Sequence, residues 1–345
     1  MLEQIHERTG YRTDVLEKDY YVVLMLRELA EKQKAGLPAF FKGGTALYKA
    51  LKTTNRFSED IDLSVDTRGC SRSQNDTRLN QAAKKYTALD RDAFSGRTNR
   101  SEVISIFTYD PITAYDASDT LQRFGKLKIE ATSFTISEPT ASLEIAPMLY
   151  DLALESEQKI LREHYEVAPF SIMTITMERI FIDKLFAAEA YVGRSSEQQR
   201  AFEAAKHIYD LTVMIRQPNI QSFLADAEMV KKLLDIRIEE EAGRLDGIPG
   251  VMPKDFDFFE AAAEDNAVRR AYTVMQTQYV LRPEDRIEYA DAMVALGEIH
   301  NRLLNCKAWT MYEPGEELLR RIRQKEEERI RLGQNQRRKR NDMER

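Results

Sequence analysis

The sequence predicts an α+β protein, with a small mixed sheet and helices in its first half and an all-helical second half. Three observations carry this. Segments near 59–65 and 125–136 alternate polar with apolar residues at the period of a strand, and 103–109 (VISIFTY) carries a further strand signal. From about residue 174 the apolar residues recur at helical spacing, with Met177, Ile180, Phe181, Leu185 and Ala188 on one stripe. Pro218, Pro249, Pro253 and Pro283 fall between or at the ends of the later segments, where proline is tolerated.

In chain order, Thr13 or Asp14 is expected to cap a helix running through Leu16, Tyr20, Val23, Leu24 and Leu26 to about Lys32, with Gly36-Leu37-Pro38 ending it. A short apolar strand over 39–42 leads into Gly43-Gly44-Thr45, a helix at about 45–53 and the strand at 59–65. Residues 67–79 are polar and read as a loop, with a helix at about 78–90 and a second loop over 91–102. Strands follow at 103–109, 125–136 and about 142–146. Helices are expected at about 197–216, 219–235, 256–275 and 284–305.

Hydrophobic residues make up 43% of the 345 and charged residues 31%, the balance of a soluble globular protein of one large or two ordinary domains. No apolar run is long enough to span a membrane, and the N-terminus lacks the apolar core of a signal peptide. Cys70 and Cys306 are too few and too far apart for a disulfide framework or thiolate metal site, and a reducing cytoplasm fits. Four scattered histidines give no zinc spacing. A net charge of −6 argues against nonspecific coating of nucleic acid but leaves room for a local basic groove. The tail from Arg320 ends in a concentrated Arg/Lys block, which reads as a charged helix fraying into its end or as an RNA contact.

The most informative stretch is Lys42 to Val65. Ser58, Asp60, Asp62 and Ser64 fall on one face of the expected strand, and Ile61, Leu63 and Val65 on the other. Two carboxylates on one face offer the hard oxygen ligands that Mg²⁺ takes when it also holds phosphates. A double glycine before a helix lets backbone N–H groups approach an anion closely. Together they suggest nucleotide chemistry. The alternative is a solvated acidic strand edge beside an ordinary strand-to-helix turn.

A Gly-Gly-Thr turn followed by Asp-x-Asp resembles the DNA polymerase β-like nucleotidyltransferases. The fuller string, Lys42-Gly-Gly-Thr-Ala-Leu through Arg56-Phe-Ser-Glu-Asp-Ile-Asp-Leu63, is similar to their AbiEii/MenT branch, the toxins of bacterial toxin–antitoxin pairs. Glu17-Lys18-Asp19-Tyr20, Lys184-Leu185 and Lys206-His207-Ile208-Tyr209-Asp210-Leu211 also match, so the resemblance spans about residues 10–300. Fourteen residues separate Thr45 from Asp60, long for the superfamily but ordinary for this branch.

The resemblance implies a nucleotidyltransferase domain over 1–170, a helical domain over 171–310 completing the active-site cleft, and a charged C-terminal helix or tail over 311–345. It makes Asp60 and Asp62 metal ligands and Glu130 a candidate third carboxylate; otherwise Glu130 is an exposed partner of Lys128. Gly43, Gly44 and Thr45 would hold triphosphate oxygens, with Lys42 and Arg56 adding positive charge unless they form surface ion pairs. Ser58 would lie near the metal and terminal phosphate.

Lys184 falls within an apolar helical stripe, so it must snorkel to the surface or meet an anion. The family pattern makes it an active-site residue. Asp210 either pairs locally with Lys206 or acts as an active-site carboxylate near that lysine. His207 reads as structural.

The implied function is Mg²⁺-dependent transfer of NMP from an NTP to an acceptor such as the tRNA 3′ end or a protein hydroxyl. It would follow a two-metal scheme, and a cognate antitoxin would restrain it. A small-molecule or housekeeping nucleotidyltransferase, and a nucleotide-binding module with decayed catalysis, are the other readings.

Overall fold

Ala39-Phe40-Phe41-Lys42 forms β1, the strand that organises the first half of the molecule. It pairs antiparallel with β2 (Ile61–Val65), bringing Lys42 opposite Asp62, and parallel with β7 (Phe170–Ile175). A computed structural model describes residues 1–51, 56–114, 124–192, 198–243 and 250–343. It divides into two units: residues 1–176 with 278–286, and residues 177–277 with 287–345.

The first unit begins with α1 (Leu2–Thr9) and α2 (Thr13–Lys34). After β1 come α3 (Gly43–Leu51), β2, α4 (Arg72–Ala83), β3 (Asp90–Thr98), β4 (Glu102–Thr108), β5 (Lys126–Thr132) and β6 (Thr140–Ile145). Two helices, α5 (Met148–Asp151) and α6 (Glu155–Tyr165), precede β7. The strands form one mixed sheet in the order β3-β4-β5-β2-β1-β7-β6. β2 and β5 run parallel in the middle of the sheet, with Asp62 beside Glu130.

Several boundaries differ from expectation, each for a local reason. Arg12, not Thr13 or Asp14, precedes the first turn of α2, and Asp14 pairs with the Arg12 guanidinium at 2.5 Å. α3 begins at Gly43, so both glycines lie in its first turn; residues 52 and 53 of the expected helix lie outside the described residues. β2 starts at Ile61, so Ser58 and Asp60 lie just ahead of it. Ser64 is buried beneath Thr135 and Ser137, not exposed on a polar face.

α4 starts at Arg72 because Ser71 and Gln74 close a capping box across a stretch that reads as loop. The expected loop over 91–102 is mostly edge strand β3. Its side chains are exposed, so no apolar alternation announces it, and backbone pairing with β4 holds it. α6 and β7 carry too little period in sequence to be expected.

α2 carries four buried charged residues amid its apolar ones: Asp14, Glu17, Lys18 and Asp19. Glu17 accepts from the backbone N–H groups of Ile112 (2.8 Å) and Thr113 (3.0 Å). Lys18 donates to the Lys126 carbonyl at the start of β5. Asp19 pairs with Lys49 of α3 and accepts from the Met148 N–H of α5 at 2.6 Å. The Glu-Lys-Asp run thus ties α2 to three other elements, since a buried charge must be paired.

The second unit contains α7 (Met177–Val192), α8 (Gln198–Met214), α9 (Pro218–Ala225), α10 (Ala227–Gly243), α11 (Phe258–Glu264), α12 (Asn266–Tyr279), α13 (Tyr289–Leu304), α14 (Lys307–Thr310) and α15 (Glu316–Met343). Two helices read as continuous are broken at aspartates. Asp226 accepts from the N–H groups of Glu228 and Met229, and Asp265 from those of Ala267 and Val268, each starting a new helix. α15 is fastened to α10 by Arg321 and Lys325, both 3.0 Å from Glu239. The Arg/Lys block expected to fray or to touch RNA lies where the described residues carry no side-chain account.

Candidate active site

The glycine turn and the acidic pair meet because β1 and β2 are neighbours. Lys42 ends β1, and Gly43 turns the chain into α3 with φ of 80°. A Cβ at Gly43 would overlap the Asp62 carboxylate, so only glycine lets the helix start lie against that side chain. A Cβ at Gly44 would come within 2.9 Å of Ser58 Oγ and 3.0 Å of Arg56 Nη2. Gly43, Gly44, Arg56, Ser58 and Asp62 therefore converge at the N-terminus of α3, where free backbone N–H groups favour an anion.

Arg56 is buried and held by a β-bridge to Val280, while the Phe57 N–H donates to the Tyr279 carbonyl at 2.7 Å. This places the Arg56-Phe57-Ser58 segment beside the helix start. Thr45 is fully buried. Its hydroxyl donates to the Asp60 carbonyl at 2.5 Å and lies 3.0 Å from Ser58 Oγ. In this arrangement the Thr45 hydroxyl positions the chain around Asp60.

Asp60, Asp62 and Glu130 are half-buried, with Lys42 and Lys128 as the nearby cations. Lys128 Nζ lies 2.8 Å from Asp60 Oδ2 and 3.7 Å from Glu130 Oε2. Burial pushes the Asp62 carboxyl up to about 6. Glu130 and Asp60 push the same way, against Lys42 and Lys128. The Lys128 amine is itself partly buried, which opposes its charge, but Asp60, Asp62 and Glu130 prevail and raise its pKa.

Among the described residues no three His, Cys, Asp or Glu side chains are grouped as a ready metal site. The oxygen donors suit Mg²⁺, and the cation now beside them is a lysine, a point charge on a flexible stem that another cation can displace. Lys128 is the contributor the sequence reading left as a mere partner of Glu130. The alternation Lys126, Lys128, Glu130 on β5 held the signal.

Lys184 and Asp210 lie in the helical unit, on α7 and α8. They form a buried ion pair, Nζ to Oδ2 at 2.7 Å. Lys184 thus meets an anion instead of snorkelling. Lys206 lies 2.9 Å from Glu203, so the local partner considered for Asp210 is engaged elsewhere. His207 stacks on Tyr191, with ring centres 5.5 Å apart.

A second charge network in this unit went unread. Arg179 contacts Glu240 (2.5 Å) and Asp183 (3.1 Å), and Arg237 contacts Asp183 (3.2 Å), Glu240 (3.3 Å) and Glu241. Part of it has helical spacing in the sequence, with Arg179 four residues before Asp183 and Arg237 three and four before Glu240 and Glu241.

The Asp62 carboxylate thus lies against the glycine-started first turn of α3. The chain belongs to the AbiEii nucleotidyl transferase toxin family of type IV toxin–antitoxin systems, whose model matches residues 25–296. The protein is therefore a toxin–antitoxin nucleotidyltransferase. Among solved structures it is similar to JHP933 from Helicobacter pylori, at 17% identity over 76% of this chain and 95% of that one, with a TM-score of 0.32. No curated relative matches. Among the described residues no helix is long and apolar enough to cross a membrane.

Proposed function

We propose that this toxin transfers NMP from an NTP to an acceptor hydroxyl, using a polymerase β-like arrangement in its sheet unit; the acceptor oxygen bonds the α-phosphorus, the α–β phosphoanhydride bond breaks, and pyrophosphate and the hydroxyl proton leave. The observation that carries the reading is the packing of Asp62 against Gly43. It puts a carboxylate directly beside a helix N-terminus that can hold phosphate.

Asp60 and Asp62 would hold Mg²⁺, with Glu130 as a third carboxylate. The bound ion would polarise phosphate oxygens and make the acceptor hydroxyl a better nucleophile. The chain's own part is positioning and charge neutralisation. The N–H groups at Gly43 and Gly44 receive phosphate oxygens, and Arg56, Lys42 and Lys128 offset their charge. Ser58 borders the terminal phosphate. Thr45 fixes the chain that carries Asp60. Lys184 and Asp210 are assigned to the same reaction on the family pattern, supported by their buried pairing on an otherwise apolar helix face. The acceptor is an RNA end or a protein hydroxyl, and a cognate antitoxin restrains the activity.

The test supplies purified protein with each α-labelled NTP, Mg²⁺, total RNA and a protein extract. Label should enter one fraction, require the divalent ion and fall at least ~10²-fold in Asp60→Asn, the scale of losing one strong electrostatic contributor. Undiminished labelling by Asp60→Asn, or none from any NTP, would overturn the proposal. Growth arrest on expression should follow the same pattern.

A further inference from the structure

The exposed side of α4 and the neighbouring edge strand β3 border a groove of about 790 Å³. Arg72, Lys84, Lys85 and Arg91 line it, with Asp76 the one carboxylate. Among the described residues none of the four cations has an ion-pair partner. A surplus of three positive charges thus gathers in one groove of a protein whose net charge is −6. Asn80 and Gln81 stand between the cations and offer amide donors and acceptors.

Beyond Arg91, β3 is interrupted by a bulge between Asp92 and Gly96. The bulge is built, not loose. The Asp92 carboxylate accepts from the N–H groups of Phe94 (2.9 Å) and Ser95 (3.2 Å) and from the Ser95 hydroxyl (2.5 Å). Gly96 closes the bulge with φ of 103°, and a Cβ there would overlap the Ile104 carbonyl. The result holds Phe94 fully clear of the protein, at 102% exposure. The bulge thus holds an aromatic ring in solvent, three residues along β3 from Arg91, with both faces open to stacking.

We propose that this groove and the Phe94 bulge bind a single strand of RNA. Unpaired cations along a groove match a phosphate backbone, and an exposed aromatic ring three residues beyond Arg91 on the same strand can stack a base. The amide side chains favour RNA over DNA, because its 2′-hydroxyls give them partners. An acidic peptide would satisfy the cations but leaves the ring and the amides without a matching group. The surface goes beyond the transfer chemistry proposed above and does not depend on it.

Binding of a fluorescent single-stranded RNA oligonucleotide, followed by anisotropy across a salt series without NTP or Mg²⁺, tests this. The wild type should bind. Replacing Lys84, Lys85 and Arg91 together with Gln should flatten the plot of log K against log salt by about 2 units, at roughly 0.7 per phosphate contact. Phe94→Ala should weaken binding about tenfold with the slope unchanged, and Phe94→Tyr should restore it. All these side chains are exposed or half-exposed, so thermal melting should not move.

Several results would overturn the inference. They are no RNA binding by the wild type, a salt slope unaltered in the triple variant, affinity unaltered in Phe94→Ala, or equal binding of single-stranded DNA or polyglutamate. Because the assay omits NTP and metal, its failure would leave nucleotidyl transfer standing, and failure of transfer would leave the RNA site standing.

Discussion

The sheet unit and the helical unit each hold a cluster of three carboxylates and two cations. Arg179 and Arg237 hold Asp183, Glu240 and Glu241 in one; Lys42 and Lys128 face Asp60, Asp62 and Glu130 in the other. The formal charge is the same, yet the first is closed and the second open. In the helical cluster Arg179 and Glu240 are almost wholly buried, and the guanidinium forks of Arg179 and Arg237 hold two and three carboxylates. In the sheet cluster the side chains of Asp60 and Lys128 stay 41% and 34% exposed. An arginine fork is pre-organised and stays; a lysine is a point charge that can be displaced. The lesson is that burial and cation type, not charge count, separate a cluster that fastens helices from one that awaits a ligand.

Breaking the closed cluster should have the largest effect on stability. Arg179→Met leaves Glu240 charged and buried without its main partner, and should cost about 3–5 kcal/mol in chemical denaturation. Transfer per folded molecule should persist. Stability within experimental error of wild type would remove the distinction drawn here.

Lys184–Asp210 lies between the extremes, buried like the first cluster but assigned to chemistry like the second. Lys184→Met should cost about 3 kcal/mol by stranding Asp210, and adding Asp210→Leu should recover most of that loss. Transfer should be absent from both variants. A stable double variant that still transfers nucleotide would place the pair with the structural network.

Gly43→Ala should cost less, about 1–2 kcal/mol for a left-handed backbone at a residue with a Cβ. Its effect on transfer should be disproportionate, because the added carbon displaces the Asp62 carboxylate. Loss of transfer merely in step with loss of folded protein would separate the glycine turn from the site.

The open cluster was the more legible of the two in sequence. Gly43-Gly44, Asp60 and Asp62 show themselves because their residue types and spacing state the chemistry, and the strand period gives their direction. Lys128 was less visible, since an alternating Lys-x-Lys-x-Glu strand is also what a solvated surface looks like. The Arg179–Glu240 and Arg237–Asp183 pairs and the Glu17-Lys18-Asp19 ties were hidden for a different reason. Their partners lie far along the chain, and sequence spacing carries no information on such pairs. Edge strand β3 was missed because exposure on its surface removes the alternation by which strands are read; the helix expected at about 78–90 exists as α4, but its start at Arg72 was missed because it depends on one capping box.

The two clusters also differ in what protonation does to them. Asp62 has its carboxyl raised from an ordinary 3.8 to about 6, by burial first and then by Glu130 and Asp60. The folded state therefore binds this proton more tightly than the unfolded chain. Stability from it is present at low pH and is lost as pH rises from about 4 through 6. Asp62→Asn removes the charge and with it that loss.

Melting temperature and nucleotide transfer of Asp62→Asn, measured side by side with wild type from pH 4 to pH 8, test the central claim most directly. At pH 7 the variant should melt above wild type, the gap should close towards pH 4, and transfer should be down at least ~10²-fold. A variant that melts lower at pH 7, or that still transfers nucleotide, would contradict an open carboxylate cluster kept for catalysis at the expense of stability.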